Sequence, residues 1–397
     1  MVSQEMLALG KNGCIIRDIF EYSQQRRVQI GQENVFDFSL GNPSIPVPAA
    51  VDQTMRRLLE EEDPVALHAY TSAPGDMAVR QKLAANITAR FGVPADPRLI
   101  YMTSGASASL AISLKAITNP GDEVILLAPF FTEYPVFVEN AGAVPKIVPC
   151  RPGDFELDME ALEAAINEKT RAILINSPNN PTGVVFSEKS IQALSEMLRK
   201  KSAELGHSIT LIADEPYREL VYEDTVVPYI PRFYDDTIVC YSYSKSMSLP
   251  GERIGYIFVA STVPEAEDVF AAICGAGRCQ GYICAPSLLQ KTVAACDGIL
   301  PDMTGYDRNR ALLYEGLKEI GYEVVRPQGA FYLFVKALEE DAVAFYERAK
   351  KYELLLVPSD DFGVTGYVRI AYCVTYEQIQ KSLPAFRKLY DDYKKGE

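Results

Sequence analysis

Between residues 99 and 260, short β-branched runs alternate with helical patterns, and this alternation limits the possible folds more than any other feature of the chain. The runs "LIYMTS", "EVILLAP", "AVPKIVP", "AILINS", "ITLIAD", "TIVCYS" and "YIFVA" read as strands. Amphipathic segments such as "DMEALEAAINEK" and "SIQALSEMLRKKSAEL" lie between several of them. Such a pattern predicts an α/β architecture in which a mostly parallel sheet is packed between helices. Sheets of this kind bind ligands beyond the carboxyl ends of their strands, so the residues following each strand are the ones to read for chemistry.

After residue 300 the pattern changes. A long helical stretch, "TGYDRNRALLYEGLKEIG", precedes strand-like "YEVVRP" and "GAFYLFVKA", then helical "DAVAFYERAKKY". Strands "LLLVPS" and "YVRIAYC" and a last helix complete what reads as a smaller α+β unit. A length of 397 residues suits one large and one smaller domain. The expected division is a large domain over 46–299, with residues 300–397 and the N-terminal segment 1–45 forming the second body.

Composition narrows the function. A net charge of −14 argues against a nucleic-acid partner, which would call for a basic face. The start "MVSQEMLALGKNGC" lacks the basic end and long apolar core of a signal peptide, and no apolar run is long enough to cross a bilayer. A cytoplasmic protein without a membrane partner is expected. The eight cysteines form no CxxC pair and read as reduced core thiols. With His68 and His207 as its histidines, the chain offers little for a zinc site, and no metal is expected.

Each strand end then carries two readings. "LIYMTS" runs into "GASASLAISLKAI", where Gly105 permits a tight turn and Ala106 and Ser107 open a helix. That is either a serine-capped helix or an anion site built from free N–H groups and the helix dipole. "AILINSPNNPTG" ends in Asn176, Asn179 and Asn180, a polar turn or a set of amides with Asn180 held out for a ligand oxygen. Asp214 follows "ITLIA" with Tyr217 three residues on, as an N-cap or as a buried carboxylate that needs a cation. Lys245 follows "TIVCYSYS" among Ser242, Ser244 and Ser246, with Arg253 eight residues later. A solvated surface lysine is the plain reading, and an amine activated by burial and a nearby cation is the other. Arg253 offers a planar fork suited to phosphate. An anion-binding helix start, a hydroxyl–arginine clamp, a buried carboxylate, polar partners for a ring oxygen and a reactive amine together match the needs of pyridoxal 5'-phosphate.

The segments "NNPTG", "DEPY" and "SYSKSMSLPGERIG", within a likeness running from "FSLGNPSIPVP" to "YVRIAYC", resemble the class I/II aminotransferases of pyridoxal-phosphate fold type I. The resemblance implies a transaminase moving an amino group between an L-amino acid and a 2-oxo acid. Lys245 would be its Schiff-base lysine, Asp214 the partner of the ring nitrogen, and Asn180 and Tyr217 the holders of the ring oxygen. Ala106, Ser107, Ser242 and Arg253 would bind the phosphate, and Phe131 would stack on the ring. Arg369 in "YVRIAYC" and the backbone of Gly41 in "SLGNP", with Asn180, would meet the substrate carboxylate. Tyr70 resembles the tyrosine that reaches a neighbouring subunit's phosphate, which implies a homodimer. The same constellation serves C–S β-lyases acting on cystathionine-like substrates, the main alternative. From another class, "CGAGRCQGY" (274–282) has the spacing of a loose dinucleotide-binding fingerprint, as in an NAD-dependent dehydrogenase. Arg278 within it is either a surface arginine or a contact for a substrate's distal carboxylate across the dimer.

Overall fold

The strands, in chain order, are β1 (Phe36–Asp37), β2 (Ile100–Thr103), β3 (Glu123–Ala128), β4 (Val144–Pro149), β5 (Thr170–Asn176), β6 (Thr210–Asp214) and β7 (Thr237–Ser242). They continue with β8 (Gly255–Val259), β9 (Val324–Val325), β10 (Tyr332–Lys336), β11 (Leu354–Leu355), β12 (Val357–Pro358) and β13 (Tyr367–Ala371). The structure is a computed structural model and describes residues 1–11 and 15–395, so Cys14 lies outside the described residues.

Seven strands form the large sheet in the order β2-β8-β7-β6-β5-β3-β4. All neighbours run parallel except β8, which is antiparallel to both β2 and β7. The inner strands are buried on both faces, and the burial of β7 is continuous from Thr237 to Ser242. This explains why they read as unbroken apolar runs. β4 sits at the edge, where its two prolines cost no ladder bonds and Val144 and Ile147 stay exposed. The three parallel strands β5, β6 and β7 end side by side, Asn176 beside Asp214 and Asp214 beside Cys240, which sets the residues after them at one edge of the sheet.

The second sheet, in the order β12-β13-β10-β9, is antiparallel. It places Arg369 on β13 between Phe334 and Val357. The run "LLLVPS" is not one strand. Leu354–Leu355 pairs in parallel with Phe36–Asp37, and Val357–Pro358 then turns to the antiparallel sheet. The segment before the large sheet is thereby stitched to the C-terminal part. "DMEALEAAINEK" is helical over Met159–Ala165 alone. It stops because Asn167 and Thr170 close a turn, the Thr170 hydroxyl accepting from the Asn167 N–H at 3.0 Å.

The cysteine expectation needs correction. Cys150, Cys240, Cys296 and Cys373 are buried, but Cys279 is exposed and Cys274 and Cys284 are half-buried. Both half-buried thiols and the exposed one fall in or beside the helix Ala266–Gln280, whose outer face meets solvent. Among the described residues, no helix is long and apolar enough to cross a membrane.

Candidate active site

Beyond the ends of β5, β6 and β7 lies a cavity of about 270 Å³. Gly41, Ala106, Ser107, Phe131, Asn180, Asp214, Tyr217, Ser242, Lys245, Arg253 and Arg369 all line it. Tyr70 does not; it is 96% exposed on the surface.

Lys245 sits in a one-turn helix, Tyr243–Ser246, that β7 enters directly. Ser242 caps this turn by accepting from the Ser244 N–H at 3.1 Å. The amine faces the cavity, donates to the Gly41 carbonyl at 2.6 Å and lies 5.6 Å from the Phe331 ring centre. Burial lowers its pKa to about 8, with Arg253 and Arg369 adding to the effect and Cys373 opposing it. This is no solvated surface lysine. A larger share of it is neutral, and so nucleophilic, near physiological pH.

Asp214 ends β6 and is 5% exposed. Its Oδ2 accepts from the Tyr134 hydroxyl at 2.5 Å, while its Oδ1 is buried with no partner. Burial drives the pKa up to about 7, against the Tyr134 hydrogen bond and with some help from Glu215. It is not a helix cap, because "DEPY" makes a turn and the carboxylate accepts from no backbone N–H among the described residues. A bare carboxylate oxygen at a cavity wall is a place for a cationic donor.

The start of the helix Ala106–Ile117 forms a cradle. Gly105 holds φ +88, and a Cβ there would fall 2.8 Å from Arg253 Nη2. The guanidinium thus packs against the glycine backbone beside free N–H groups of the helix start. Arg253 also donates to the Ser244 hydroxyl at 3.3 Å and to the Pro250 carbonyl at 3.1 Å, and its own φ of 52 lies in the left-handed region. Dipole, N–H groups and a planar cation converge on one spot, as an anion requires.

The three asparagines divide their work. Asn176 ties strand ends together, donating to the Asp214 carbonyl at 2.9 Å and accepting from the Asn180 N–H at 2.8 Å. Asn179 accepts from both the N–H and the hydroxyl of Thr182, so it builds the turn. Asn180 reaches the cavity, where its Oδ1 accepts from Arg369 Nη1 at 3.0 Å. Arg369 also donates to the Ser39 carbonyl at 2.6 Å and stacks 4.6 Å from the Tyr332 ring centre, while its Nε is unpartnered. A Cβ on Gly41 would lie 1.9 Å from the Tyr332 hydroxyl, so only glycine lets this backbone approach.

Tyr217 and Tyr332 share a hydroxyl–hydroxyl bond at 3.0 Å. Phe131 presents its ring edge-on to Tyr134 at 5.7 Å. Sequence reasoning missed Tyr134, Tyr332 and Ile16, all of which line the cavity. Tyr134 stands three residues after Phe131 behind a strand, so the strand-end rule reaches it. Tyr332 and Ile16 lie inside a strand and a helix with no local signal. The glycine-spaced segment lacks the setting a dinucleotide fingerprint needs. Residues 274–280 of the glycine-spaced segment are helical, with Gly277 packed on Tyr101, instead of forming a loop after a strand. Arg278, on that helix, is exposed in the single chain and lies outside the lining of its own cavity.

The unpaired Asp214 oxygen, the anion cradle and the depressed amine fit pyridoxal phosphate at its ring nitrogen, phosphate and aldehyde, respectively. Comparison with known proteins agrees. Residues 33–386 match the aminotransferase class I and II family. A probable aspartate/prephenate aminotransferase of Thermus aquaticus is 33% identical over 87% of this chain and 89% of its own length. The crystal structure of an aminotransferase from Eubacterium rectale superposes with a TM-score of 0.97 at 51% identity, covering 99% of each chain. Aspartate aminotransferase of Thermus thermophilus with maleate gives a TM-score of 0.85 at 26% identity, over 98% of this chain and 100% of that one. Fold, site and sequence relatives converge: the chain belongs to the class I and II aminotransferases, pyridoxal-phosphate enzymes that move amino groups between amino acids and 2-oxo acids.

Proposed function

We propose that Lys245 carries the cofactor and moves the proton of the transamination, with Asp214 as the counter-charge. The observation that carries this reading is the pairing, in one cavity, of a depressed amine and a buried carboxylate with one oxygen left bare. When bound, pyridoxal phosphate supplies an aldehyde for the amine and an electron sink for charge developing at the substrate's α-carbon.

The chain's own groups do the rest. Arg369 offers its guanidinium to the α-carboxylate of the amino acid, turned toward the cavity by Asn180 and Ser39. Asn180 and Tyr217 border the space for the ring oxygen, and Phe131 walls one face. The Lys245 amine takes the α-proton as base and returns a proton as acid, a double role suited to a pKa of about 8. The Asp214 Oδ1 would be the negative counter-charge to the cofactor's protonated ring nitrogen. Ala106, Ser107, Ser242 and Arg253 would hold the phosphate in the helix-start cradle.

Two broader readings go with this. The division into a body over 46–299 and a second over 1–45 with 300–397 is supported by the separate sheets and the β1–β11 pairing. A homodimer, with Tyr70 completing a neighbour's site, is supported by the exposure of that ring in the single chain.

The test is a donor screen. Aspartate, glutamate, alanine and tyrosine are each offered with 2-oxoglutarate, and amino transfer is followed against pyruvate release from cystathionine. Aspartate leads the screen because relatives carry its name. Amino transfer with no pyruvate formed from cystathionine supports the reading. Pyruvate from cystathionine without amino transfer from any donor would give the site to β-elimination instead.

A further inference from the structure

Asp214 has two oxygens in two different situations. Oδ2 receives the Tyr134 hydroxyl at 2.5 Å, and Oδ1 is buried and unpartnered, in a residue that lines the cavity. Tyr134 opens the helix Tyr134–Ala141 and is 2% exposed. It is held edge-on by Phe131 at 5.7 Å, so one turn after β3 supplies both the wall of the site and this phenol. Neither residues 130–133 nor the helix needs a hydroxyl at this point for packing; a phenylalanine ring would fill the same space.

We propose that Tyr134 is a positioning residue for Asp214: its phenol fixes Oδ2 and keeps the carboxylate charged, so that Oδ1 is presented to the ring nitrogen of the bound cofactor. The inference rests on the reading of Asp214 given above. The direction of the hydrogen bond is secure, because burial and the adjacent carboxylate push the Tyr134 phenol well above its ordinary pKa, and it remains a donor across the working range. That bond opposes the burial which drives Asp214 up to about 7. The other titratable groups around Asp214 do not replace it. Glu215 is next in the chain and is taken by Arg218. Tyr217 and Cys240 are pushed upward chiefly by burial and stay neutral. Asn176 donates to the Asp214 backbone carbonyl, not to its carboxylate.

The experiment titrates pyridoxal phosphate into cofactor-free wild type, Tyr134→Phe, Asp214→Asn and the double variant across pH, reading affinity by fluorescence and the absorbance of the bound cofactor. A hydrogen bond to a charged group changes an equilibrium by about tenfold or more, so Tyr134→Phe loses about tenfold in affinity near neutrality. The loss shrinks as alkali restores the Asp214 charge. In the Asp214→Asn background the same change has little effect. An unchanged pH profile in Tyr134→Phe, or an equal loss in both backgrounds, would reduce Tyr134 to core packing and overturn the inference alone. Failure of wild type to bind pyridoxal phosphate would overturn the underlying reading and this inference with it. Should circular dichroism show Tyr134→Phe misfolded, 3-fluorotyrosine at position 134, a stronger donor of nearly the same shape, must move the profile to lower pH. No movement there refutes the proposal equally.

Discussion

The Asp214 carboxylate is a source of strain until the cofactor arrives, and Asp214→Asn exposes that strain. Burial, with help from Glu215, raises the carboxyl from 3.8 to about 7 while Tyr134 opposes the shift. A displacement of about 3 units, at about 1.36 kcal/mol each, is about 4 kcal/mol. The folded value stands above the unfolded one, so the group's favourable contribution is complete below 3.8 and is lost as pH rises through about 7. Cofactor-free wild type therefore weakens across that window relative to Asp214→Asn, whose amide oxygen still accepts from Tyr134. Thermal melts of both cofactor-free proteins at about pH 5 and about pH 8 read the difference, and the variant gains several degrees on wild type at the higher pH. With pyridoxal phosphate the order reverses. Unit charges about 3 Å apart at an effective dielectric of about 20 attract by about 5 kcal/mol, and half of that holds the ring proton about a hundredfold more firmly. Turnover of the variant falls by a similar factor. A melting difference that is the same at both pH values, or a variant that turns over like wild type, would refute the reasoning.

Three further outcomes follow from the site and its support. Because burial lowers Lys245 to about 8, the rate of cofactor uptake by cofactor-free protein rises roughly tenfold between about pH 7 and about pH 9, as stopped-flow absorbance would record; a flat profile contradicts an amine titrating there. Arg369→Gln removes the charged fork and lowers kcat/KM for the amino acid about a hundredfold, chiefly through KM, and an unchanged KM would take Arg369 out of carboxylate binding. Behind the site, Arg218 is buried against Glu215, donates to the Val227 and Pro228 carbonyls at 3.2 Å, and lies 4.9 Å from the Tyr229 ring centre. Arg218→Met strands the Glu215 charge and destabilises the fold by about 3–5 kcal/mol in denaturant titration; a loss under about 1 kcal/mol would show that Glu215 simply takes up a proton.

The strand ends were legible because parallel sheets force chemistry to their carboxyl edge. Asn180, Asp214 and Lys245 each follow an apolar run, and β5, β6 and β7 bring them together. Tyr332 and Ile16 were invisible for the opposite reason. Each belongs to an element remote in sequence, and its approach to the cavity depends on long-range packing that no local pattern encodes. Asn179 and Asn180 look alike in the sequence, because turn-building and ligand-binding asparagines are told apart only by their partners, and Thr182 occupies Asn179. The run "LLLVPS" misled because strand propensity says nothing about which partner a strand finds. Here the partner changes within the run, from β1 to β13.

Lys245 as the covalent anchor is the claim on which the mechanism turns. Borohydride reduction of the cofactor-saturated protein, followed by peptide mass mapping, tests it directly. The account predicts a phosphopyridoxyl group on the peptide containing Lys245 and its loss in Lys245→Ala. A label on another lysine, or no label on a protein that binds the cofactor, would contradict it.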